Sequence, residues 1–215
     1  MTAAHSSLRP FARRAALLGA LAASLLASGC VAPVLMGGAM VGSVMVVTDR
    51  RTSGTQLEDE GIELKAGNRL REQLGDRAHI NVNSYNRVVL LTGEAPSEAD
   101  RATAERAVSQ VENVTRVLNE IAIAGPSSLT SRASDVNLAG KVKLSLVDAR
   151  DLISNAFYVV VERGVVYIMG RVTEREATRA AEIVRGVSGV QKVVRAVEII
   201  SEEELARITP KPAKQ

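Results

Sequence analysis

The stretch Val111-Glu-Asn-Val-Thr-Arg-Val-Leu-Asn-Glu-Ile-Ala-Ile123 decides the fold, because its apolar pattern returns in Val187-Ser-Gly-Val-Gln-Lys-Val-Val-Arg-Ala-Val-Glu-Ile199. Six apolar positions coincide at an offset of 76 residues: Val111/Val187, Val114/Val190, Val117/Val193, Leu118/Val194, Ile121/Val197 and Ile123/Ile199. Upstream, residues 88–93 match residues 165–170 at an offset of 77. Two copies of about 70 residues predict tandem domains, since a solenoid needs more repeats of a shorter period.

Each copy predicts the same order of elements, αββαβ. An amphipathic helix comes first, with apolar residues four apart on one face: Ile62, Ala66 and Leu70, then Leu138, Val142 and Leu146. Two β-branched runs with turn residues between them follow, then a second helix and a last strand. The strands are expected at 79–84, 88–92 and 114–123 and at 157–161, 165–169 and 190–200, and the second helices at 97–111 and 173–186. We therefore expect an α+β fold in which two helices of each domain pack on one face of a three-stranded sheet.

Residues typical of turns, helix caps and linkers set the expected boundaries of the elements and domains. Gly93 and Gly170 are expected to close the hairpins as turn glycines, where a missing Cβ allows a tight bend. Thr173 precedes Glu176 by three residues, which is the spacing of a capping box. Gly125-Pro-Ser-Ser128 is typical of a linker. We expect domains at 57–125 and 135–203, a linker at 126–134, and a loose tail at 204–215.

The N-terminus has the pattern of an export signal with a lipid attachment site. Residues 1–29 combine three arginines with an apolar run from Ala15 to Leu26 that is too short to span a bilayer. The run ends in Leu26-Ala-Ser-Gly-Cys30, which resembles a lipobox with alanine in place of the usual leucine three residues before the cysteine. Cys30 is the only cysteine of the chain, and lipidation gives that thiol a purpose in an oxidising compartment.

Residues 30–56 are expected to form a lipidated apolar leader and linker. Residues 31–47 are apolar and rich in glycine, and Gly38 and Gly42 have a spacing that can also bring membrane-spanning helices together. A leader at the bilayer surface is the favoured interpretation, because the stretch is short, starts at the lipidated residue and contains helix-weakening glycines.

Charge and composition argue against nucleic-acid binding and against catalysis. The signal contains three of the 27 basic residues and no acidic residue, so the rest of the chain balances 24 basic against 24 acidic residues. A neutral chain lacks the basic footprint of a nucleic-acid binder. Beyond the signal His79 is the only histidine, which leaves too few ligands or partners for a zinc site or a histidine triad. We expect no enzyme activity, no metal and no cofactor, with a carboxylate-pair hydrolase as a remote alternative.

Three stretches resemble the DolP (YraP) family of outer-membrane lipoproteins with two BON domains: Asp49-Arg-Arg-Thr-Ser-Gly-Thr-Gln56, Gly164-Val-Val-Tyr-Ile-Met-Gly-Arg-Val-Thr-Glu-Arg-Glu176 and Val187-Ser-Gly-Val-Gln-Lys-Val193. With the lipobox and the domain order, the resemblance covers nearly the whole chain. It implies two tandem BON domains anchored in the outer membrane by lipid and facing the periplasm. Val31 after the cysteine, in place of an aspartate, agrees with outer-membrane sorting in such lipoproteins.

The resemblance further implies support of envelope integrity, binding of anionic phospholipid through the second BON domain, and links to outer-membrane assembly and cell division. In the family the lipid surface centres on the first helix of that domain, which corresponds to residues 137–147 here. Where the family pattern can carry a membrane-inserting tryptophan, this chain has Asn137. Membrane-binding candidates carried over from the family or read from the helix are Val142, Lys143, Leu144, Val147 and Arg150.

The repeat supplies an independent indication of a membrane face. Leu144 and Val147 point away from the expected core stripe, and copy one has Asn68 and Arg71 at the matching positions. Lys143 and Arg150 flank the extra apolar face, as on an interfacial helix. Two interpretations stay open: this face contacts lipid, or it packs against the linker or the first domain. Val142 fits the core better on physical grounds. An envelope adaptor that binds a protein partner is the alternative function.

Overall fold

The computed structural model describes residues 49–209. Cys30, the signal at 1–29, the leader at 31–47 and the last six residues lie outside the described residues. The fold is the expected α+β fold of two αββαβ domains, each built on its own sheet.

Domain 1 follows the predicted order. Its helices are α1 (Ser53–Leu74) and α2 (Glu98–Ser109), and its strands are β1 (His79–Tyr85), β2 (Val88–Ala95), β3 (Arg116–Asn119) and β4 (Ala122–Ile123). β1 pairs antiparallel with β2, and β2 pairs in parallel with both β3 and β4. The single last strand that the sequence predicts over 114–123 is therefore shorter and broken in two. Asn119 causes the break locally, since its side-chain oxygen accepts a hydrogen bond from the Ile121 N–H at 3.3 Å.

Domain 2 has the same order and an added helix. Its helices are α3 (Leu129–Asp148), α4 (Glu174–Arg185) and α5 (Glu202–Ile208), and its strands are β5 (Tyr158–Glu162), β6 (Val165–Val172) and β7 (Lys192–Ile199). β5 pairs antiparallel with β6, and β6 pairs in parallel with β7 along eight residues. α5 shows that the expected loose tail is helical up to residue 208.

Two helices begin earlier than the sequence predicts. α1 starts inside the expected leader and α3 inside the expected linker, because a polar residue caps each start. The side chains of Thr52 and Ser128 accept hydrogen bonds from the N–H groups of Thr55 and Ser131. The capping box at Thr173 is confirmed, with both of its hydrogen bonds present.

Gly93 and Gly170, which match each other in the two copies, are not turn residues, so the prediction that they close the hairpins is wrong. Gly93 lies inside β2 opposite Ile80, and Gly170 lies inside β6. The turns are at 86–87 and 163–164. A Cβ on Gly93 would lie 2.1 Å from the His79 carbonyl oxygen, and one on Gly170 would lie 2.4 Å from the Ala156 carbonyl oxygen. Glycine is needed at both positions because a Cβ would meet a backbone carbonyl oxygen, and Gly93 also has a φ of +106°, which other residues rarely adopt.

Each domain has a core between its sheet and its two helices. In domain 1 this core contains Ile62, Ala66, Leu70, Val89, Leu91, Ala104 and Val108. In domain 2 it contains Leu138, Val142, Leu146, Val166, Ile168, Ala180 and Val184. The expected layering, with two helices on one face of each sheet, is confirmed.

A third apolar cluster joins the free faces of the two sheets. Its members come from both domains: Tyr85 and Leu90 from domain 1, and Tyr167, Met169 and Ala196 from domain 2. Along β2 and β6 the residues alternate between this cluster and the helix-covered cores. The two domains therefore pack sheet against sheet, and we call this contact the inter-sheet cluster.

Candidate functional site

α3 carries a row of exposed apolar side chains along its whole length. Leu129, Val136, Leu144 and Val147 are 83, 72, 66 and 62% exposed. At 100° per residue all four point within about 60° of one direction, and the row is about 27 Å long. We call these four residues the α3 stripe. Of them, the sequence indicated only Leu144 and Val147.

Leu129 and Val136, which were not predicted from the sequence, nevertheless have a helical spacing that indicates a shared face. Leu129 and Val136 are seven residues apart, which is two helical turns, and Val147 follows Val136 by eleven, which is three turns. The expected linker at 126–134 hid this spacing, because Leu129 was assigned to it. The Ser128 cap shows that the helix already begins there.

The exposure of the stripe settles one of the open interpretations. Leu144 and Val147 are exposed, so neither packs against the linker or domain 1 within the described residues. Val142 has no exposed surface and belongs to the core of domain 2. Its inclusion among the membrane-binding candidates is therefore wrong, because a fully buried side chain has no surface to offer a membrane. Lys143 and Arg150 are exposed, and Arg150 lies in the turn after α3.

Basic side chains beside the stripe are without acidic partners. Among the described residues, Lys141, Lys143 and Arg150 form no salt bridge, whereas five arginines of domain 2 do. α3 contains three basic and two acidic residues, and one of the acidic residues, Asp135, is buried. α1 at the matching place of domain 1 contains three basic and five acidic residues. The surface of α3 therefore favours anions and that of α1 does not.

A buried aspartate fixes α3 to the hairpin of its domain. The carboxylate of Asp135 accepts hydrogen bonds from the backbone N–H groups of Arg163 and Gly164 at 2.8 and 2.9 Å. In domain 1 the carboxylate of Asp59 accepts equivalent bonds from Asn86 and Arg87, each at 2.8 Å. This pair was not predicted from the sequence, although the two aspartates are separated by the same 76 residues as the repeat. The helix that carries the stripe is thus held rigidly by a charged anchor.

Asn137 occupies the side of α3 next to the stripe. It is exposed and lines an open polar groove of about 850 Å³ between α3, the β5–β6 turn and the α4–β7 loop. Lys141 and Arg163 are the basic residues of that groove. Polar groups therefore lie beside an apolar row, as they do on helices that lie in a membrane interface.

His79 lies at the start of β1, as the sequence predicts, at a polar contact between the domains. Its Nδ1 lies 3.7 Å from Oε2 of the buried Glu94, whose other oxygen lies 3.4 Å from Nη1 of Arg163. Burial and the nearby carboxylates of Glu94 and Asp135 raise the pKa of Glu162, although Asn81 donates a hydrogen bond to it. Within residues 49–209 no cluster of three or more histidine, cysteine or acidic residues is placed to hold a metal ion.

No helix in the part of the chain that the structure describes is long and apolar enough to cross a membrane.

Comparison with known proteins identifies the two repeats. The BON domain model matches residues 58–125 and 134–201. The chain is 36% identical over 192 residues to the outer membrane lipoprotein DolP of Haemophilus influenzae, covering 88% of this chain and 96% of that protein. It is 31% identical over 154 residues to the 21 kDa hemolysin of Actinobacillus pleuropneumoniae, covering 71 and 79% of the two chains.

A third relative, an uncharacterised protein of Anaplasma centrale, is 30% identical over 145 residues, which cover 66% of this chain and 95% of that one. The family match to both repeats and the near-complete coverage of the Haemophilus influenzae protein lead to one conclusion. The chain belongs to the DolP family of outer-membrane lipoproteins, which is built from two tandem BON domains.

Proposed function

We propose that this protein is held in the outer membrane by lipid on Cys30, faces the periplasm, and docks the α3 stripe on anionic phospholipid to support the integrity of that membrane. The observation that carries the proposal is the exposure of Leu129, Val136, Leu144 and Val147 in one row on α3. No catalytic step is assigned to either domain.

The lipid anchor and the stripe act together in this proposal. A stripe of four aliphatic side chains inserts shallowly, and each Lys or Arg near an anionic surface adds roughly 1 kcal/mol of attraction. Such a contact is weak by itself. A covalent lipid keeps the domains close to the bilayer, so the second contact forms at a high effective concentration. Modest affinity of α3 for phospholipid is therefore sufficient.

The repeat explains why domain 2 and not domain 1 is assigned the lipid contact. At an offset of 76 residues, the positions of the α3 stripe correspond in α1 to Ser53, Glu60, Asn68 and Arg71. Those side chains are polar, and α1 carries an acidic surplus that an anionic membrane repels. The matching positions of α1 are thus polar, and the exposed leucines on the same side of that helix, Leu57 and Leu64, lie beside acidic residues.

The test of this proposal is vesicle flotation of the chain from residue 49 onward, without lipid. Vesicles of phosphatidylglycerol mixed with phosphatidylethanolamine are compared with vesicles of phosphatidylcholine alone, at low and high salt. Flotation only with the anionic vesicles, and weaker at high salt, supports lipid docking. Equal recovery in the bottom fraction with both vesicle types contradicts it.

Attachment through Cys30 is tested in the full chain. Mass spectrometry of the protein extracted from membranes is expected to show Cys30 as the N-terminal residue. Its sulfur is expected to carry a diacylglyceryl group and its amino nitrogen an acyl chain. Cys30→Ser is expected to remain unmodified and to leave the outer-membrane fraction. Outer-membrane recovery of an unmodified Cys30→Ser chain contradicts the anchor.

A second candidate function, binding of an envelope protein of the assembly or division machinery, is favoured by α1. Leu57 and Leu64 are well exposed on that helix between acidic residues, where an anionic bilayer is a poor partner. A photo-crosslinking residue at position 64 in cells is expected to capture a protein if this function applies. Capture at position 147 in place of position 64 moves the protein contact to the α3 stripe and contradicts lipid docking there.

A further inference from the structure

The segment directly after the leader reaches into domain 2. The guanidinium of Arg50 donates two hydrogen bonds to the carboxylate of Glu176, with both N–O distances at 2.8 Å, and a third to the Arg171 carbonyl oxygen at 2.9 Å. The side chains of Arg50 and Glu176 are only 5 and 4% exposed. Glu176 lies in the first turn of α4, where it also completes the capping box. Arg50 is thus bound to a fixed point of domain 2.

The next residue is bound to domain 1. Arg51 Nη1 lies 2.9 Å from an oxygen of Asp59, the aspartate that holds the domain 1 hairpin. The guanidinium carbon of Arg51 lies 4.1 Å from the centre of the Tyr85 ring, in a cation–π contact. Tyr85 in turn belongs to the inter-sheet cluster. Asp49 completes the arrangement by accepting three further hydrogen bonds from the Arg51 side chain.

We propose that Asp49, Arg50 and Arg51 form a latch that holds the two BON domains in one fixed arrangement. Two consecutive arginines bind different domains, so a few atoms of backbone span the seam between them. Because the latch directly follows the leader, the segment that leads from Cys30 is bound to both domains at once. This inference concerns only the packing of the two domains and stands whether or not α3 binds lipid.

The latch supplies what the inter-sheet cluster lacks. Apolar contact between two sheet faces is non-directional, so it allows the faces to slide or rotate over one another. A forked arginine–carboxylate pair has a fixed planar geometry and tolerates neither movement. Other polar contacts cross the seam, from Asn86 to Glu198, Asn81 to Glu162 and Arg163 to Glu94, but each is a single hydrogen bond without the forked geometry. We therefore assign the angular restraint between the domains to Arg50.

Electron paramagnetic resonance distance measurement tests the latch. Spin labels are placed at Gln110→Cys in domain 1 and Ser188→Cys in domain 2, both exposed, in the mature chain carrying Cys30→Ser so that no other thiol is present. The parent is expected to give one narrow distance distribution. Arg50→Ala is expected to give a broadened distribution with a second population, while the amide spectrum of each domain core is retained.

Matched variants make the result decisive. Arg175→Ala removes an exposed arginine that lies 3.9 Å from Glu202, and it is expected to keep the parent distribution. Arg50→Lys keeps the charge but loses the fork, and it is expected to broaden the distribution less than Arg50→Ala. If Arg50→Ala fails to fold, Arg50→Lys is judged by the same criterion. A parent-like distribution in a folded Arg50 variant overturns the latch and assigns the restraint to the inter-sheet cluster and the other polar contacts across the seam.

Discussion

Arg50 and Glu176 are separated by 126 residues in the sequence and meet in a buried, two-pronged salt bridge with N–O distances of 2.8 Å. Burial alone would raise the pKa of the Glu176 carboxyl. The hydrogen bonds from Arg50 and from the Thr173 N–H outweigh burial, so that pKa lies below its ordinary value of 4.5. The ionised carboxylate is therefore part of what stabilises the folded chain.

Glu176→Gln is expected to lower the free energy of unfolding by about 3–5 kcal/mol at neutral pH, because it leaves the buried Arg50 charge without its partner. Since the folded pKa of Glu176 is below the unfolded one, its stabilisation is complete above about pH 4.5 and is lost as the pH falls through the folded value. Urea unfolding between pH 7 and pH 3 should therefore show a weaker acid dependence in Glu176→Gln than in the parent.

Glu202→Gln is the control for this prediction, because its partner Arg175 lies 3.9 Å away and both side chains are exposed. It is expected to change stability by less than about 1 kcal/mol. An equal loss of stability in the two glutamine variants would contradict the role given to the buried pair.

Gly93→Ala and Gly170→Ala are expected to be strongly destabilising, by more than about 3 kcal/mol, because a Cβ at either site overlaps a carbonyl oxygen of the neighbouring chain segment. Gly67→Ala in α1 is the matched control. A Cβ there meets nothing within 4 Å, so this substitution should stabilise the protein by about 0.5–1 kcal/mol through helix propensity. Thermal unfolding of the three variants checks this order of stabilities. A melting temperature of Gly93→Ala near that of the parent would refute the close approach of the two backbone segments.

Asp135→Ala is expected to lower the free energy of unfolding by about 1.5–3 kcal/mol, because the N–H groups of Arg163 and Gly164 lose a charged acceptor. Hydrogen exchange of those two amides should become faster than in the parent. Ser134→Ala, next to it on the exposed side of α3, should change stability by less than about 0.5 kcal/mol. Unchanged exchange at positions 163 and 164 would show that Asp135 does not hold the turn.

The repeat in the sequence was sufficient to predict the order of elements, since its apolar positions recur at a constant offset through the last strands. The face-to-face packing of the sheets was missed, although its signal was present. Residues 88–91 and 165–169 are continuous apolar runs, and such runs are typical of strands covered on both faces. Leu90 and Met169 are the residues that this pattern would have assigned to a second face.

Other features depend on long-range contacts that no local pattern reveals. Nothing near Arg50 in the sequence indicates that its partner is Glu176, because the two meet only when both domains are assembled. The need for glycine at position 93 comes from the His79 carbonyl oxygen on the paired strand, and because this contact is not visible in the sequence, a turn was predicted instead. For the site, helical periodicity found Leu144 and Val147, but a misplaced helix start hid Leu129.

Val147→Glu is expected to reduce partitioning to anionic vesicles by about tenfold or more, since it replaces an inserting aliphatic side chain with a charge that the lipid headgroups repel. Leu64→Glu in α1 is the matched control, because Leu64 is exposed to a similar extent in the equivalent helix of domain 1. Flotation measures both variants, with circular dichroism to verify folding. Equal losses in the two variants would contradict a specific role for α3.

Lipid binding by α3 can be measured by NMR amide shift mapping of the chain from residue 49 onward during titration with anionic phospholipid micelles. If α3 is the lipid-binding face, the largest shifts are expected on residues 129–150, led by the amides around Leu129, Val136, Leu144 and Val147, with small shifts along α1. Shifts concentrated on α1 or on the sheet edges, with α3 unchanged, would contradict it.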